Sequence, residues 1–420
     1  MFRVRSKPLS DADANAKRFE ANQLFTPSAP VAIAELFVGR QPQASKIVDA
    51  VGERGRHVIL YGERGVGKSS LAQIIPFFIP RGPQQVRHVR IQAFPGDTFS
   101  TVAKRIFSAL NFDFDTEEGR RNTNVSEFYP GEVGIDDFLS VMRIFRESEI
   151  PILVIDEFNE IEDPHISRML SGILKALSDT GSNVTLIIVG VADNVAELVE
   201  KNESIERCVE EIQMPRMPVD ERREVLDRRL NRLGMSISGD GRWKIINLSK
   251  GLPAYVHALG KYACYRALKE RRLNLIEDDV DSAITEVLQS SQQTIKRSYE
   301  EATRSNQARA LFKHVLTACA LAKVDDAGWF TASAVIEPMS NILRRSVAIA
   351  NFQDALRDFV ERRGRILQRT GEPRNYRFRF ASPAMQPYVI MRGIHEGIID
   401  EAAKQALSSP EQPELPFASD

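Results

Sequence analysis

The stretch LYGERGVGKSSLAQ, Leu60 to Gln73, decides how the first half of the chain is read. Gly62, Gly67, Lys68 and Ser69 complete the pattern G-x-x-x-x-G-K-[ST]. An apolar run, HVILYG, leads into it and reads as a buried strand; SSLAQIIPFFI follows and reads as a helix. A strand, a glycine-rich loop and a helix in that order are what a phosphate loop requires. The glycines let backbone N–H groups turn inward around an anion, and the helix N-terminus adds positive potential. Phosphate contacts are therefore expected along Gly62, Gly65, Val66, Gly67, Lys68, Ser69 and Ser70. Lys68 would reach the β- and γ-phosphates and the Ser69 hydroxyl would bind Mg2+. The bland alternative is a strand–turn–helix junction whose glycines match by chance.

Outward from this loop, strands and helices alternate from His57 to about Met214. VRHVRIQAF reads as a second strand, IPILVIDE as a third, VTLIIVG as a fourth and RCVEEIQM as a short fifth. The third has almost no polar alternation, as expected of a strand covered on both faces. NFDFDTEEGRRNTNVSEFYPGEVG is polar and reads as a long loop or insertion. The whole predicts an α/β fold with a parallel five-stranded sheet and helices on both faces. ILVIDE ends on two acids. Asp156, at the end of a buried strand, can complete a Mg2+ shell. Glu157 is placed to orient or deprotonate an attacking water. Together these imply bound ATP or GTP with Mg2+, and the lack of an N/TKxD guanine-reading motif favours ATP. Two solvated acids at a strand end are the alternative for this pair.

Composition bounds the rest. At 420 residues two or three domains are expected. Net charge is −1, so any nucleic-acid contact needs a local basic patch. Cys208, Cys264 and Cys319 lie far apart and fit no metal spacing, and the six histidines form no ligand pattern. No apolar run is long enough for a bilayer and the first twenty residues lack a signal-peptide core, so no membrane partner and a cytoplasmic location are expected.

FTPSAPVAIAELFVGR, LYGERGVGKSSLAQ, ILVIDEFNEI and VTLIIVGVADNVAELV occur in the order and spacing of AAA+-like ATPases. The chain resembles the branch that holds the origin-recognition and replication-initiator ATPases and the STAND-type P-loop ATPases, roughly from Phe25 to Gly260. The resemblance implies that Val38, Gly39 and Arg40 of the ELFVGR box lie beside the adenine. It implies a polar sensor at the end of the fourth strand, where Asp193 stands with Asn194 beside it. The family often has Asn or Thr there, and a carboxylate facing a γ-phosphate would be repulsive, so Asn194 or a one-residue slip would supply the role. An arginine finger completing a neighbouring subunit's site would fall on Arg207; an arginine paired with nearby glutamates is the alternative. In place of the lid arginine of replication-type members, Gly251-Leu252-Pro253 resembles the GLP turn of STAND switches, which puts Pro253 near the adenine. A lid without that cation implies slow hydrolysis, since transition-state charge is less well neutralised.

The domain reading that follows is an N-terminal arm (1–24), an AAA+-like core (25–215), an all-helical lid (216–300), a C-terminal winged helix-turn-helix (303–395) and a disordered tail (396–420). The winged helix is inferred from helices followed by two short strands, RILQR and NYRFRF. Between Arg344 and Arg379 stand ten arginines, four acids and no lysine. Arg365, Arg369, Arg374, Arg377 and Arg379 on or beside the wing are the candidate contacts to double-stranded DNA. Two readings remain: a wing that binds DNA, and a winged helix that packs internally and locks an off state. The expected function is a slow, ATP-controlled switch that engages DNA, a protein partner or effector, or both. The competing one is a DNA-binding initiator, loader or transposition-type regulator forming a nucleotide-dependent homo-oligomer through Arg207.

Overall fold

The computed structural model describes residues 9–31, 33–116, 119–199, 203–305, 311–325, 327–373 and 375–399. They divide into two units, one of Pro30–Pro215 and one of the described residues within Met1–Ala29 and Arg216–Asp420. Numbered through the chain, the first helix, α1 (Asp11–Leu24), belongs to the second unit.

The first unit runs α2 (Gln41–Gly52), β1 (His57–Gly62), α3 (Lys68–Ile74), β2 (Gln85–Gln92), α4 (Phe99–Ser108), β3 (Asn111–Thr116), β4 (Gly119–Asn124), α5 (Ile135–Met142), β5 (Glu149–Asp156), α6 (Pro164–Asp179), β6 (Thr185–Val191), α7 (Glu203–Cys208) and β7 (Val209–Gln213). Five strands form one parallel sheet in the order β2-β5-β6-β1-β7. The three inner strands, β5, β6 and β1, are mostly buried. Ile152, Leu153, Val154 and Ile155 are at most 1% exposed, so both faces of β5 are covered. Each such side chain contributes about 1.5–3 kcal/mol by leaving water. This sheet bears out the α/β reading.

Two local expectations are corrected. The polar stretch after α4 is not a loop throughout: β3 and β4 pair as an antiparallel hairpin, with Asn111 opposite Asn124. The alternation in NFDFDT drives it, because Phe112 is buried and meets the ring of Phe145 edge-on at 5.0 Å. The fifth strand starts only at Val209, since α7 occupies the residues before it.

In the second unit, α8 (Val219–Arg232), β8 (Ser236–Ile237), α9 (Gly239–Ser249), α10 (Pro253–Lys269), β9 (Asn274–Leu275) and α11 (Glu277–Ser290) form the lid region. It is not wholly helical: β8 and β9 pair as two short parallel strands. The N-terminal helix α1 is no loose arm but packs on α10. Lys17 Nζ donates to the Leu233 carbonyl at 2.5 Å and the Arg18 guanidinium lies 4.4 Å from the Tyr265 ring centre. Beyond α1, Phe25 is fully buried, and a Cβ at Gly260 would come within 2.6 Å of its ring.

The chain ends in α12 (Gln293–Thr303), α13 (Phe312–Leu321), β10 (Phe330–Thr331), α14 (Ile336–Leu343), α15 (Gln353–Glu361), β11 (Leu367–Thr370), β12 (Arg377–Phe380) and α16 (Met385–His395). The two expected strands acquire a third, giving an antiparallel sheet β10-β12-β11. The tail from residue 400 lies outside the described residues, as do residues 306–310 shortly before α13.

Candidate nucleotide-binding site

The phosphate loop joins β1 to α3, and its backbone can be built only by glycine. Gly62, Gly65 and Gly67 have φ of 146°, 87° and 102°. At Gly62 a Cβ would also stand 2.5 Å from the Met214 carbonyl oxygen. Lys68 opens α3. It is 7% exposed, and its ammonium donates to the loop's own carbonyls, Gly62 O at 3.0 Å and Glu63 O at 2.8 Å. Burial pulls its pKa down to about 8, against the attraction of Glu157 and Asp156. A cation buried among carbonyls, beside glycines that leave open space at Gly67, fits an incoming phosphate.

Asp156 ends β5 and is 1% exposed. Its Oδ1 accepts from the Ser69 hydroxyl at 3.3 Å and from the Glu157 N–H at 2.9 Å. Ser69 and Asp156 thus face each other across the gap that a magnesium shell would span, and these two residues fit that ion. Glu157 sits in the left-handed region, φ 55° and ψ 37°, which is uncommon for a residue with a Cβ. The strand ends at this turn, immediately after Asp156.

Arg40 reaches the loop from the ELFVGR box. It is 2% exposed, has φ 62°, and its Nη2 donates to the Val66 carbonyl at 2.9 Å. Val38 is buried beside it, and Gly39 has φ 68°. Ser70 does not point into the loop's bonding but accepts from the Val31 N–H at 3.1 Å. The structure therefore gathers Val38–Arg40, Gly62–Ser70, Asp156 and Glu157 at the C-terminal ends of β1 and β5.

Other candidates are placed differently. Asp193 and Asn194 are exposed and lie beyond β6. Glu197 engages both, taking the Asp193 N–H at 3.1 Å and the Asn194 amide at 2.8 Å. The polar side chain that reaches the end of β6 is Asn159, whose Oδ1 accepts from the Val191 N–H at 2.7 Å. Arg207 is exposed in the last turn of α7, and its carbonyl accepts from Arg56 Nη1 at 2.9 Å. Pro253 belongs to the second unit, at the first position of α10.

Sequence reasoning missed Arg90 as well as Asn159. Arg90, on β2, donates to Asp156 Oδ2 from Nε at 3.1 Å and from Nη2 at 2.5 Å. VRHVRIQ mixes Arg87, His88, Arg90 and Gln92 with three apolar residues, so nothing in the sequence singles Arg90 out from Arg87.

Of the wing arginines, Arg365, Arg369 and Arg377 are exposed and Arg379 is half-buried; Arg374 lies outside the described residues. Arg365 has φ 44° in the turn before β11. Arg369 lies 4.5 Å from the Tyr376 ring centre and 3.7 Å from Glu361 Oε1. Arg377 is ion-paired with Asp325, and Arg379 stacks at 4.4 Å on Trp329 and donates to Gln368 Oε1 at 2.7 Å.

The model of the family Novel STAND NTPase 1 matches residues 30–363, well over half of the chain. Among solved structures, the ORC2 protein of Aeropyrum pernix, in ADPNP–ADP complexes, is similar with a TM-score of 0.50 at 17% identity, covering 90% of this chain and 98% of that one. The Walker-type ATPase paby2304 of Pyrococcus abyssi gives 0.52 at 15% identity, covering 88% and 99%. These likenesses bear on the fold, an α/β P-loop ATPase fold. A putative lon protease homolog of Thermoplasma acidophilum is 35% identical over 65 residues, which span 16% of this chain and only 13% of that protein. Among the described residues no helix is long and apolar enough to cross a membrane, and no group of three or more His, Cys, Asp or Glu could hold a metal.

Proposed function

The chain belongs to the Novel STAND NTPase 1 family of nucleoside triphosphatases, and we propose that it is an ATP-controlled conformational switch with slow hydrolysis. In this reading Lys68 and the loop N–H groups bind the phosphates, and Val38, Gly39 and Arg40 border the adenine. Ser69 Oγ and Asp156 Oδ1 would hold Mg2+, which would neutralise phosphate charge when bound. Glu157 orients and deprotonates the attacking water. Asp193, Asn194 or the newly found Asn159 provides the polar sensor beside it.

The observation that carries the reading is the anchorage of the GLP turn. Gly251 has φ 82°, and a Cβ there would stand 2.7 Å from Arg216 Cβ. Its carbonyl accepts from the Met217 N–H at 2.9 Å. Arg216, where the chain re-enters the second unit, donates to the Lys250 carbonyl at 3.3 Å and to Gln386 Oε1 on α16 at 2.5 Å. Two residues past Pro253, the Tyr255 hydroxyl donates to the Ala384 carbonyl at 2.6 Å, just before α16. A turn tied on both flanks to the C-terminal region is suited to pass a change in its own position on to that region. Slow turnover is supported by Arg266, the first arginine after the turn, which is ion-paired with Glu270 at 2.7 Å.

The output is contact with double-stranded DNA through Arg365, Arg369, Arg374, Arg377 and Arg379 of a winged helix, with a protein partner or effector, or with both. Labelled duplex titrated against ATP-bound and ADP-bound protein at two salt concentrations tests it. Binding that differs between the states and weakens when Arg365 and Arg369 are neutralised is the expected result. Identical weak binding in both states, insensitive to the substitutions, removes DNA and leaves the internal lock or partner surface. The second reading is an oligomeric initiator or loader, and the exposure of Arg207 favours it. It predicts turnover per chain that rises with protein concentration and is lost in Arg207→Ala.

A further inference from the structure

We propose that Arg90 is a positioning residue for the metal-holding carboxylate: it commits one oxygen of Asp156 to itself, turns the other toward Ser69, and so sets how much divalent metal the site requires. This rests on the reading of Ser69 and Asp156 as the metal pair.

The sheet register places the arginine. β2 lies beside β5 with Gln92 level with Asp156 and Arg90 level with Val154. Residues two apart on a strand share a face, so the Arg90 side chain lies alongside the end of β5. Its planar fork delivers two donors to the same oxygen, Oδ2. The remaining arm, Nη1, reaches Gln73 Oε1 on α3 at 3.3 Å. The orientation of the carboxylate is thus tied to the helix that begins at Lys68.

Oδ1 keeps only light donors, a serine hydroxyl and one backbone N–H. A divalent cation displaces or shares these far more readily than it displaces a guanidinium. Arg90 therefore has two opposed effects on metal. Its charge competes with the cation for the carboxylate, lowering affinity. Its two bonds keep Oδ2 occupied, which stops the carboxylate from chelating the ion with both oxygens. Without Arg90 the metal binds more tightly, in an orientation that serves hydrolysis less well. An ion pair that served only the fold would leave both quantities where they are.

The test uses the full chain and Mn2+ as a spectroscopic probe with a non-hydrolysable ATP analogue, comparing the unmutated protein, Arg90→Met and Arg90→Lys. In Arg90→Met the half-saturating Mn2+ concentration falls ~10-fold or more, on the scale of altered outer-shell partners. kcat falls by a similar factor while KM for nucleotide stays within ~3-fold, because the phosphate loop is untouched. Arg90→Lys, with one donor nitrogen in place of the two that hold Oδ2, returns part of each effect. Unchanged Mn2+ affinity in both variants overturns the proposal, as does a loss of kcat with unaltered metal dependence. If Arg90→Met does not fold, Arg90→Lys and Arg90→Gln carry the same comparison. Nucleotide affinity of Lys68→Ala in EDTA separates the two levels. Binding lost there, with no Arg90 effect, overturns this inference alone; binding retained there overturns the site reading beneath it.

Discussion

Among the described residues two lysines are almost wholly buried, one in each unit, and their surroundings are opposite. Lys244 on α9 is 2% exposed and ion-paired with Glu277 at 2.8 Å and Asp281 at 2.7 Å. Despite burial, which pulls the other way, these acids hold its pKa above the ordinary lysine value. Lys68 is 7% exposed and bonded only to carbonyl oxygens, and burial drags its pKa down to about 8. The lid region satisfies its own buried charge. The phosphate loop gives its ammonium carbonyl oxygens and no ion-paired carboxylate, which is the condition an incoming anion would relieve. Stability is concentrated in one place and incompleteness in the other.

If that division is right, the sharpest cuts to activity come from the nucleotide unit and leave the fold alone. Glu157→Gln keeps size and hydrogen bonding but removes the base. Hydrolysis should drop by at least ~10²-fold, the scale of general-base loss, with nucleotide affinity and melting temperature nearly unchanged. Turnover at the unmutated rate would mean that another group positions the water.

The two lysines themselves should exchange phenotypes. Lys68→Ala should weaken nucleotide binding by ~10²-fold, because a charge-assisted contact in a partly dry site is lost. It should not destabilise the free protein, since the ammonium was poorly accommodated there. Lys244→Ala should leave nucleotide affinity intact and cost about 1–3 kcal/mol of stability, read from denaturant curves. A stability loss in Lys68→Ala equal to that in Lys244→Ala would erase the contrast.

A third, smaller effect probes the turn that Arg216 and Tyr255 tie to the C-terminal helix. Gly251→Ala must hold φ near 82° and push a methyl against Arg216 Cβ. The expected cost is about 1–3 kcal/mol, the scale of a strained backbone position. It should loosen the contacts of Arg216 and Tyr255 with α16 before it touches nucleotide affinity. Faster hydrogen exchange in α16 at unchanged affinity is the expected pattern; unaltered exchange throughout would sever the turn from the C-terminal region.

What could be read from the residues follows the same contrast. The loop, the acids of β5 and the five-strand alternation are local patterns: each is written in consecutive residues with a fixed physical meaning. Arg90 and Asn159 were invisible because their partners, Asp156 and the end of β6, meet them only through sheet order, β2 beside β5 beside β6. The β3–β4 hairpin was hidden by polarity, although Phe112 carried a period-two signal. The docking of α1 on α10 was hidden for another reason. Its helix is polar overall, and it holds through Lys17 to a carbonyl, Arg18 over Tyr265 and the burial of Ala21 and Leu24. The bonds of Arg216 and Tyr255 to α16 join residues far apart in the chain, which no motif encodes.

The subtlest consequence of the contrast is a proton. In the folded, nucleotide-free protein Lys68 titrates near about 8, against an ordinary lysine value of about 10.4 in the unfolded chain. Between these values the unfolded chain holds more protons, so stability of the free protein rises with pH across that window. Phosphate beside the ammonium reverses the cause of the shift and restores the charged form. Near pH 8.5, nucleotide binding should therefore take up a measurable fraction of a proton per chain, shrinking toward zero by about pH 7. Affinity should fall as pH climbs above about 8, the opposite direction to the stability of the free protein. Isothermal calorimetry in two buffers of different ionisation enthalpy measures the uptake directly. Lys244, already charged and paired, predicts no such exchange, so the same uptake in Lys244→Ala assigns the proton to Lys68. Equal binding heats in the two buffers at pH 8.5 would show that Lys68 is already charged without nucleotide, and the contrast between the two lysines would reduce to one of partners alone.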